Sequence, residues 1–227
     1  MLINYHIIVA AGSGSRYGGT LPKQYCPLWG RPVLMTTIER LAAAAPGAEI
    51  IVVVSGAMAE EWSAMCREHS FSHPHRIAFG GATRAESVRN ALALVDAERV
   101  GWISVHDAAR PMVTPALFGR LLEALPGADG VIPAVPVTDS LRLLSADGAS
   151  RSVDRSLYRA VQTPQLFDGR KLIAANRQPL RPEFTDDATV MEAAGYTNLR
   201  LAEGDPANIK ITIAGDIKRI ESDGRHP

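Results

Sequence analysis

The 227-residue sequence sets 24 Lys and Arg against 24 Asp and Glu, so no net charge draws it to nucleic acid or to an anionic membrane. Hydrophobic residues are 46% and charged residues 21%, the mix of a folded chain with a substantial core. Cys26 and Cys66 form no C-x-x-C pair, which suits a reducing compartment, by default the cytoplasm, and speaks against a zinc site. No apolar run is long enough to span a bilayer, and the N-terminus lacks the basic region and cleavage site of a leader.

Taken in chain order, residues 6–10 read as a first strand. A helix spans Pro32 to Ala45, with proline at its start and Pro46-Gly47 closing it. Ile50 to Val54 is a continuous buried strand, followed by a helix over roughly 57–69 and a strand at 76–79. Thr83-Arg84-Ala85-Glu86 has the form of a capping box that opens a helix to about Val95. Trp102 to Val105 is a strand, Thr114-Pro115 starts a helix ending near Pro126-Gly127, and Val131 to Val135 is a strand. This alternation predicts an α/β domain with a largely parallel sheet. The rhythm then breaks. Ser140 to Leu144 and Arg151 to Arg155, around a turn at Ala146-Asp147-Gly148, read as a hairpin that is marginal alone and needs a core or a partner to cover it. Helices follow near 168–176 and from Thr185 to Ala194, then a strand at Ile209 to Ile213 and a last helix from about 215. The expected organisation is one domain over 1–227 with a hairpin insertion at about 136–160.

After the first strand comes a loop built for phosphate. Gly12 and Gly14 let backbone N–H groups approach an anion, and Arg16 and Lys23 supply positive charge. The dinucleotide pattern G-x-G-x-x-G fails because residue 17 is Tyr, and the Walker pattern fails because residue 20 is Thr. In open α/β sheets ligands sit beyond the carboxyl ends of the strands. The glycine loop, Gly80-Gly81 and His106-Asp107-Ala108-Ala109-Arg110-Pro111 each follow a strand, so all three belong on one sheet edge. Asp107 is placed to help hold Mg²⁺, which takes few carboxylates plus substrate phosphates. Arg110 is placed to hold an anion. Further patches are Asp139-Ser140, Asp154-Arg155, Gln162-Thr163-Pro164-Gln165 and Gly204 to Thr212.

Together these segments resemble the 2-C-methyl-D-erythritol 4-phosphate cytidylyltransferases of the non-mevalonate isoprenoid pathway. The resemblance rests on A-A-G-S-G-S-R, P-K-Q, G-G…R-A-E-S-V, H-D-A-A-R-P, V-D-R, Q-T-P-Q, F-T-D-D-A and N-I-K-I-T, in that order, over nearly the whole chain. It implies a Rossmann-like nucleotidyltransferase domain with a mostly parallel twisted sheet and a projecting β-arm that joins a homodimer. It implies transfer of a cytidylyl group from CTP to methylerythritol phosphate, with Mg²⁺ or another divalent cation. Arg16 and Lys23 would stabilise the transition state at the α-phosphate, and Arg155 and Lys210 would position the acceptor. Ala10, Ala11, Gly12, Gly14, Gly80, Gly81, Ala82 and Ser87 would line the CTP site. Asp107, Ala108, Arg110, Ser140 and Thr163 would complete the ribose, metal and sugar-phosphate contacts. Ser140 and Arg155, on the arm, would serve the partner's site. Two departures stand out: position 82 is Ala where an acidic residue occurs in the family, and position 140 is Ser where Thr is familiar.

A phosphate monoester nucleophile has its second pKa near 6, so it needs no general base, in keeping with the lack of a Ser–His–Asp or Cys–His arrangement. Competing readings are a cytidylyltransferase for another polyol phosphate such as ribitol 5-phosphate, and a nucleotide-binding protein without turnover. An NAD-dependent dehydrogenase is disfavoured by the misplaced third glycine.

Overall fold

A computed structural model describes residues 1–12 and 21–223. The chain begins with β1 (Ile3–Val9), then β2 (Pro27–Leu28) and β3 (Arg31–Pro32), which pair with each other, and α1 (Val33–Ala44). There follow β4 (Glu49–Val54), α2 (Ala59–Glu68), β5 (Arg76–Phe79), α3 (Arg84–Leu92), β6 (Val100–Asp107), α4 (Pro115–Ala124) and β7 (Gly130–Pro136). A short pair, β8 (Arg142–Leu144) and β9 (Ser150–Ser152), precedes β10 (Arg159–Val161) and β11 (Gln165–Asp168). The chain closes with α5 (Gly169–Ala175), α6 (Asp187–Ala193), β12 (Leu199–Glu203) and α7 (Ala214–Ser222).

Eight strands form one sheet in the order β10-β7-β11-β6-β1-β4-β5, with β12 beside β7. The pairs β1–β4, β1–β6, β4–β5 and β7–β12 are parallel, while β11 runs antiparallel between β6 and β7. Strands buried on both faces read as unbroken apolar runs. In β4, Ile51 and Val53 pack with Val88 of α3, Leu172 of α5 and Met191 of α6. Its Ile50, Val52 and Val54 pack with Ile38 of α1, Trp62 of α2 and Leu117 of α4. Helices therefore cover both faces, and each fully buried aliphatic side chain contributes about 1.5–3 kcal/mol.

The predicted strands and helices up to β7 are present within a few residues of their expected bounds. Thr83 does cap α3: its Oγ1 accepts the Glu86 N–H at 3.1 Å, and Glu86 Oε2 accepts the Thr83 N–H. Five strands lie outside the sequence reading: the two-residue β2 and β3, and β10, β11 and β12. The predicted strand at Ile209 to Ile213 is instead a non-laddered segment. Two of its three isoleucines, Ile209 and Ile211, serve a satellite core, where Ile211 packs with Leu28, Val33, Met112, Ile217 and Ile220. Arg155 lies not on a hairpin strand but in a 3₁₀ turn, Arg155–Leu157, capped by Asp154. The β8–β9 pair is a separate two-stranded sheet whose strand residues are all exposed. Among the described residues no helix is long and apolar enough to cross a membrane.

Candidate active site

Parallel pairing brings the carboxyl ends of β1, β4, β5 and β6 to one edge, and backbone hydrogen bonds tie their exits together. Ala10 N–H donates to Val53 O, Ala108 N–H to Val9 O, and Gly80 N–H to Val54 O. A Cβ on Gly80 would collide with that of Ala11, so glycine is required for the two loops to touch. Gln24 ties back to the residues that follow β1, with Nε2 donating to Ala10 O at 2.6 Å and Gly12 O at 2.9 Å. Lys23 precedes it in a 3₁₀ turn, Lys23–Tyr25. Gly14 and Arg16, both expected at the site, lie outside the described residues.

The loop after β5 uses up its own donors. Gly81 N–H goes to Ser87 Oγ, and the Ala82 and Thr83 N–H groups go to Glu86 Oε2. Ser87 Oγ in turn donates to Thr83 O. What remains for a ligand from residues 80–82 is carbonyl oxygen, an acceptor surface suited to an exocyclic amine.

Asp107 ends β6 at the centre of a charge cluster. Its Oδ2 lies 2.8 Å from Lys210 Nζ and 3.6 Å from Arg110 Nε, and its Oδ1 lies 3.7 Å from Arg84 Nε. Burial alone would push the Asp107 carboxyl up, but Arg84, Lys210 and Arg110 more than offset that and hold it well below the usual carboxylate range. Thr163, entering β11, locks the backbone here: its Oγ1 accepts the Asp107 N–H at 3.0 Å and lies 3.0 Å from His106 Nδ1. His106 Nε2 faces the Arg110 carbonyl at 2.9 Å, so Nε2 carries the proton and Nδ1 accepts from Thr163. Burial pushes His106 down to about 4, which leaves it neutral and structural. The segment carrying Lys210 is pinned from three sides. Arg110 donates to Asn208 O at 2.8 Å, Asn208 Nδ2 to Thr163 O at 2.8 Å, and Ile211 N–H to Ala109 O at 2.8 Å.

The structure thus brings Asp107, Ala108, Arg110, Thr163 and Lys210 together, with Ala10, Ala11, Gly80 and Gly81 on the same edge. It does not bring Ser140 or Arg155 to them. Arg155 donates to the Thr138 carbonyl beside a cleft lined by Pro136, Val137, Thr138, Ser156 and Arg159, and Ser140 is exposed. Arg84, Asp187, Asn208 and Gln24 lie in motifs that carry the family resemblance, but the sequence reading gives none of them a site role. Arg84 had one local signal: a cation at the first position of a helix opposes the helix dipole and needs an anion to hold it there.

No group of three or more His, Cys, Asp or Glu among the described residues is arranged to hold a metal ion. Asp107 is the carboxylate that ends β6 at this edge, and its Oδ2 is engaged by Lys210. The donor set suits Mg²⁺ only as an ion that draws most of its ligands from substrate phosphates.

A doubly wound sheet with a glycine loop after β1 and clustered cations at the carboxyl edge defines a nucleotidyltransferase. The 2-C-methyl-D-erythritol 4-phosphate cytidylyltransferase family profile matches residues 5–222, and the chain belongs to that family. A protein of that name from Bacteroides thetaiotaomicron is 45% identical over 212 residues, covering 93% of this chain and 95% of the relative. One from Phocaeicola vulgatus is 41% identical over 220 residues, covering 96% and 99%. Among solved structures, the 4-diphosphocytidyl-2C-methyl-D-erythritol synthase of Anaerococcus prevotii superposes with a TM-score of 0.81 at 25% identity, over 99% of both chains. The Thermus thermophilus cytidylyltransferase gives 0.75 at 29% identity, over the full length of both.

Proposed function

We propose that this chain transfers the cytidylyl group of CTP to 2-C-methyl-D-erythritol 4-phosphate, releasing pyrophosphate. The observation that carries the reading is the convergence of Lys210, Arg110 and Arg84 on Asp107 at the edge where the glycine loop leaves β1. An oxygen of the acceptor's phosphate attacks the α-phosphorus of CTP. The new P–O bond forms as the bond to the bridging oxygen of the β-phosphate breaks, and pyrophosphate leaves with that electron pair. The acceptor is ionised at neutral pH, so no proton has to be removed. The neutral, hydrogen-bonded His106 fits that absence of a base. The barrier is bringing two anions together, and fixed positive charge lowers it. Arg16 and Lys23 are assigned to the α-phosphate, and Lys210 to the acceptor phosphate. The carbonyls of the 80–82 loop match the amine of cytosine. Mg²⁺, held by triphosphate oxygens with Asp107 as the contributing carboxylate, would neutralise charge on the leaving pyrophosphate.

The active form is assigned as a homodimer. Leu143, Leu144, Leu157, Tyr158 and Val161 are exposed on and beside the β8–β9 pair, an apolar set that a second copy would cover. That arrangement would bring Ser140 and Arg155 to the neighbour's acceptor site. The free thiols of Cys26 and Cys66 suit the cytoplasm. The deciding experiment is a pyrophosphate-release assay of CTP, ATP, GTP and UTP against methylerythritol phosphate and ribitol 5-phosphate with Mg²⁺. Turnover confined to CTP with methylerythritol phosphate is expected. Preference for ribitol 5-phosphate, or no turnover with any pair, overturns the reading.

A further inference from the structure

Arg84 and Asp187 are the first residues of α3 and α6, two helices that pack on the same face of the sheet. Arg84 Nη2 lies 2.7 Å from Asp187 Oδ2, and the Asp187 side chain is 1% exposed. Among the described residues neither atom has another hydrogen-bond partner, so the two depend on each other as a close ion pair. The other side of the same guanidinium, Nε, faces Asp107 Oδ1 at 3.7 Å. Asp187 is itself fixed by β11. Gln165 donates to Asp186 Oδ2 at 2.8 Å and accepts the Ala188 N–H at 3.2 Å, which clamps the residues on either side of Asp187. A buried ion pair is weak grounds for stability, because desolvation offsets the attraction. Its value here lies in direction. Without Asp187, Asp107 is the remaining carboxylate in ion-pair contact with Arg84 among the described residues, and a guanidinium drawn fully onto Oδ1 would weaken the hold on Lys210 at Oδ2.

Resting on the functional reading above, we propose that Arg84 and Asp187 are positioning residues for the acceptor phosphate. Asp187 restrains Arg84, Arg84 orients Asp107, and Asp107 holds the Lys210 ammonium where the acceptor binds. The pair touches neither substrate and acts through Lys210.

The test is a coupled kinetic cycle on the full-length enzyme. Asp187→Asn keeps the shape but removes the charge that restrains Arg84, Arg84→Met removes the cation alone, and Arg84→Met/Asp187→Leu removes both charges together. Each is measured alone and in a Lys210→Met background, with the acceptor varied at saturating CTP and CTP affinity followed by calorimetry. Expected is a loss of about 10- to 100-fold in kcat/KM for the acceptor, the usual scale for groups that orient a site residue. CTP affinity should stay within about threefold, and the added loss in the Lys210→Met background should shrink to about threefold or less, since residues acting through one another are non-additive. Arg84→Lys, which keeps the charge, should retain more activity than Arg84→Met. Unchanged acceptor kinetics, a matching loss of CTP affinity, or fully multiplicative losses with Lys210→Met would each overturn the proposal. If the doubly neutral variant fails to fold, the Asp187→Asn arm and the Arg84→Lys comparison decide alone. A wild-type enzyme inactive with methylerythritol phosphate would instead overturn the functional reading, so the two failures are distinct.

Discussion

Thr163→Val is the sharpest single test of how the site is held. Valine matches threonine in shape but removes the hydroxyl that accepts the Asp107 N–H and donates to His106 Nδ1. His106 is fully buried and Asp107 is 9% exposed, so water cannot easily replace either bond. Leaving a buried polar group unpaired costs about 1–3 kcal/mol, so two orphans cost about 2–6 kcal/mol. In a chain of this size that lowers Tm by about 4–24 °C. The same change frees the backbone that carries the Asp107 carboxylate, and a misplacement of about 1 Å can cost up to about 100-fold in rate. Denaturant unfolding gives the stability and pyrophosphate release the activity. Thr163→Ser, which keeps the hydroxyl, should recover most of both. A Thr163→Val enzyme within about 0.5 kcal/mol of wild type would refute the reasoning, because it would mean the two groups find other partners.

The remaining predictions concern charge. Lys23→Ala and Arg16→Ala should each lower kcat by about two orders of magnitude or more in the pyrophosphate assay, the scale of a lost transition-state donor; near-normal turnover in both would remove them from the chemistry. Mixed dimers of an Arg155→Ala subunit and a Lys23→Ala subunit should regain activity that neither parent shows, and confirmed mixed dimers without recovery would exclude a shared site. Stability should also fall with acidity through His6. Burial, with a smaller push from His106, takes its pKa from 6.5 to about 3 in the folded chain. The unfolded chain takes up that proton first, so the contribution is complete above about pH 6.5 and is lost as pH falls toward about 3. Denaturant midpoints measured from pH 7 to 4 should therefore decline less steeply in His6→Gln than in wild type.

The parts of this fold that sequence discloses are those whose pattern is local. Ile50 to Val54 can only be a strand buried on two faces, and Thr83 with Glu86 announces a helix start. The strands it conceals are short or ambiguous. Arg159–Val161 is exposed and only three residues long, and Leu199–Glu203 is half polar and belongs to the sheet only because β7 offers it an edge. Ile209, Ile211 and Ile213 show the opposite failure. Their alternation imitates a strand, yet Ile211 faces a small core between α7 and the start of α1 while Ile213 is exposed. At the site, the segments that follow strands were legible because strand ends share an edge. The Arg84–Asp187 pair was not, since it joins two helix starts about a hundred positions apart and no local pattern encodes their meeting.

The segment from Asp205 to Thr212 has a consequence for how the site can come apart. The last strand of the sheet ends at Glu203, so Lys210 sits outside the ladder. Its segment is held by Asn208 Nδ2 on Thr163 O, by Ile211 N–H on Ala109 O, and by the packing of Ile211 against Ile217 and Ile220 of α7. Proteins open locally where few ladder bonds and few buried contacts hold the backbone. Loosening of α7 is therefore expected to part the Lys210 ammonium from Asp107 while the sheet stays whole, so the charge cluster can be lost without the fold.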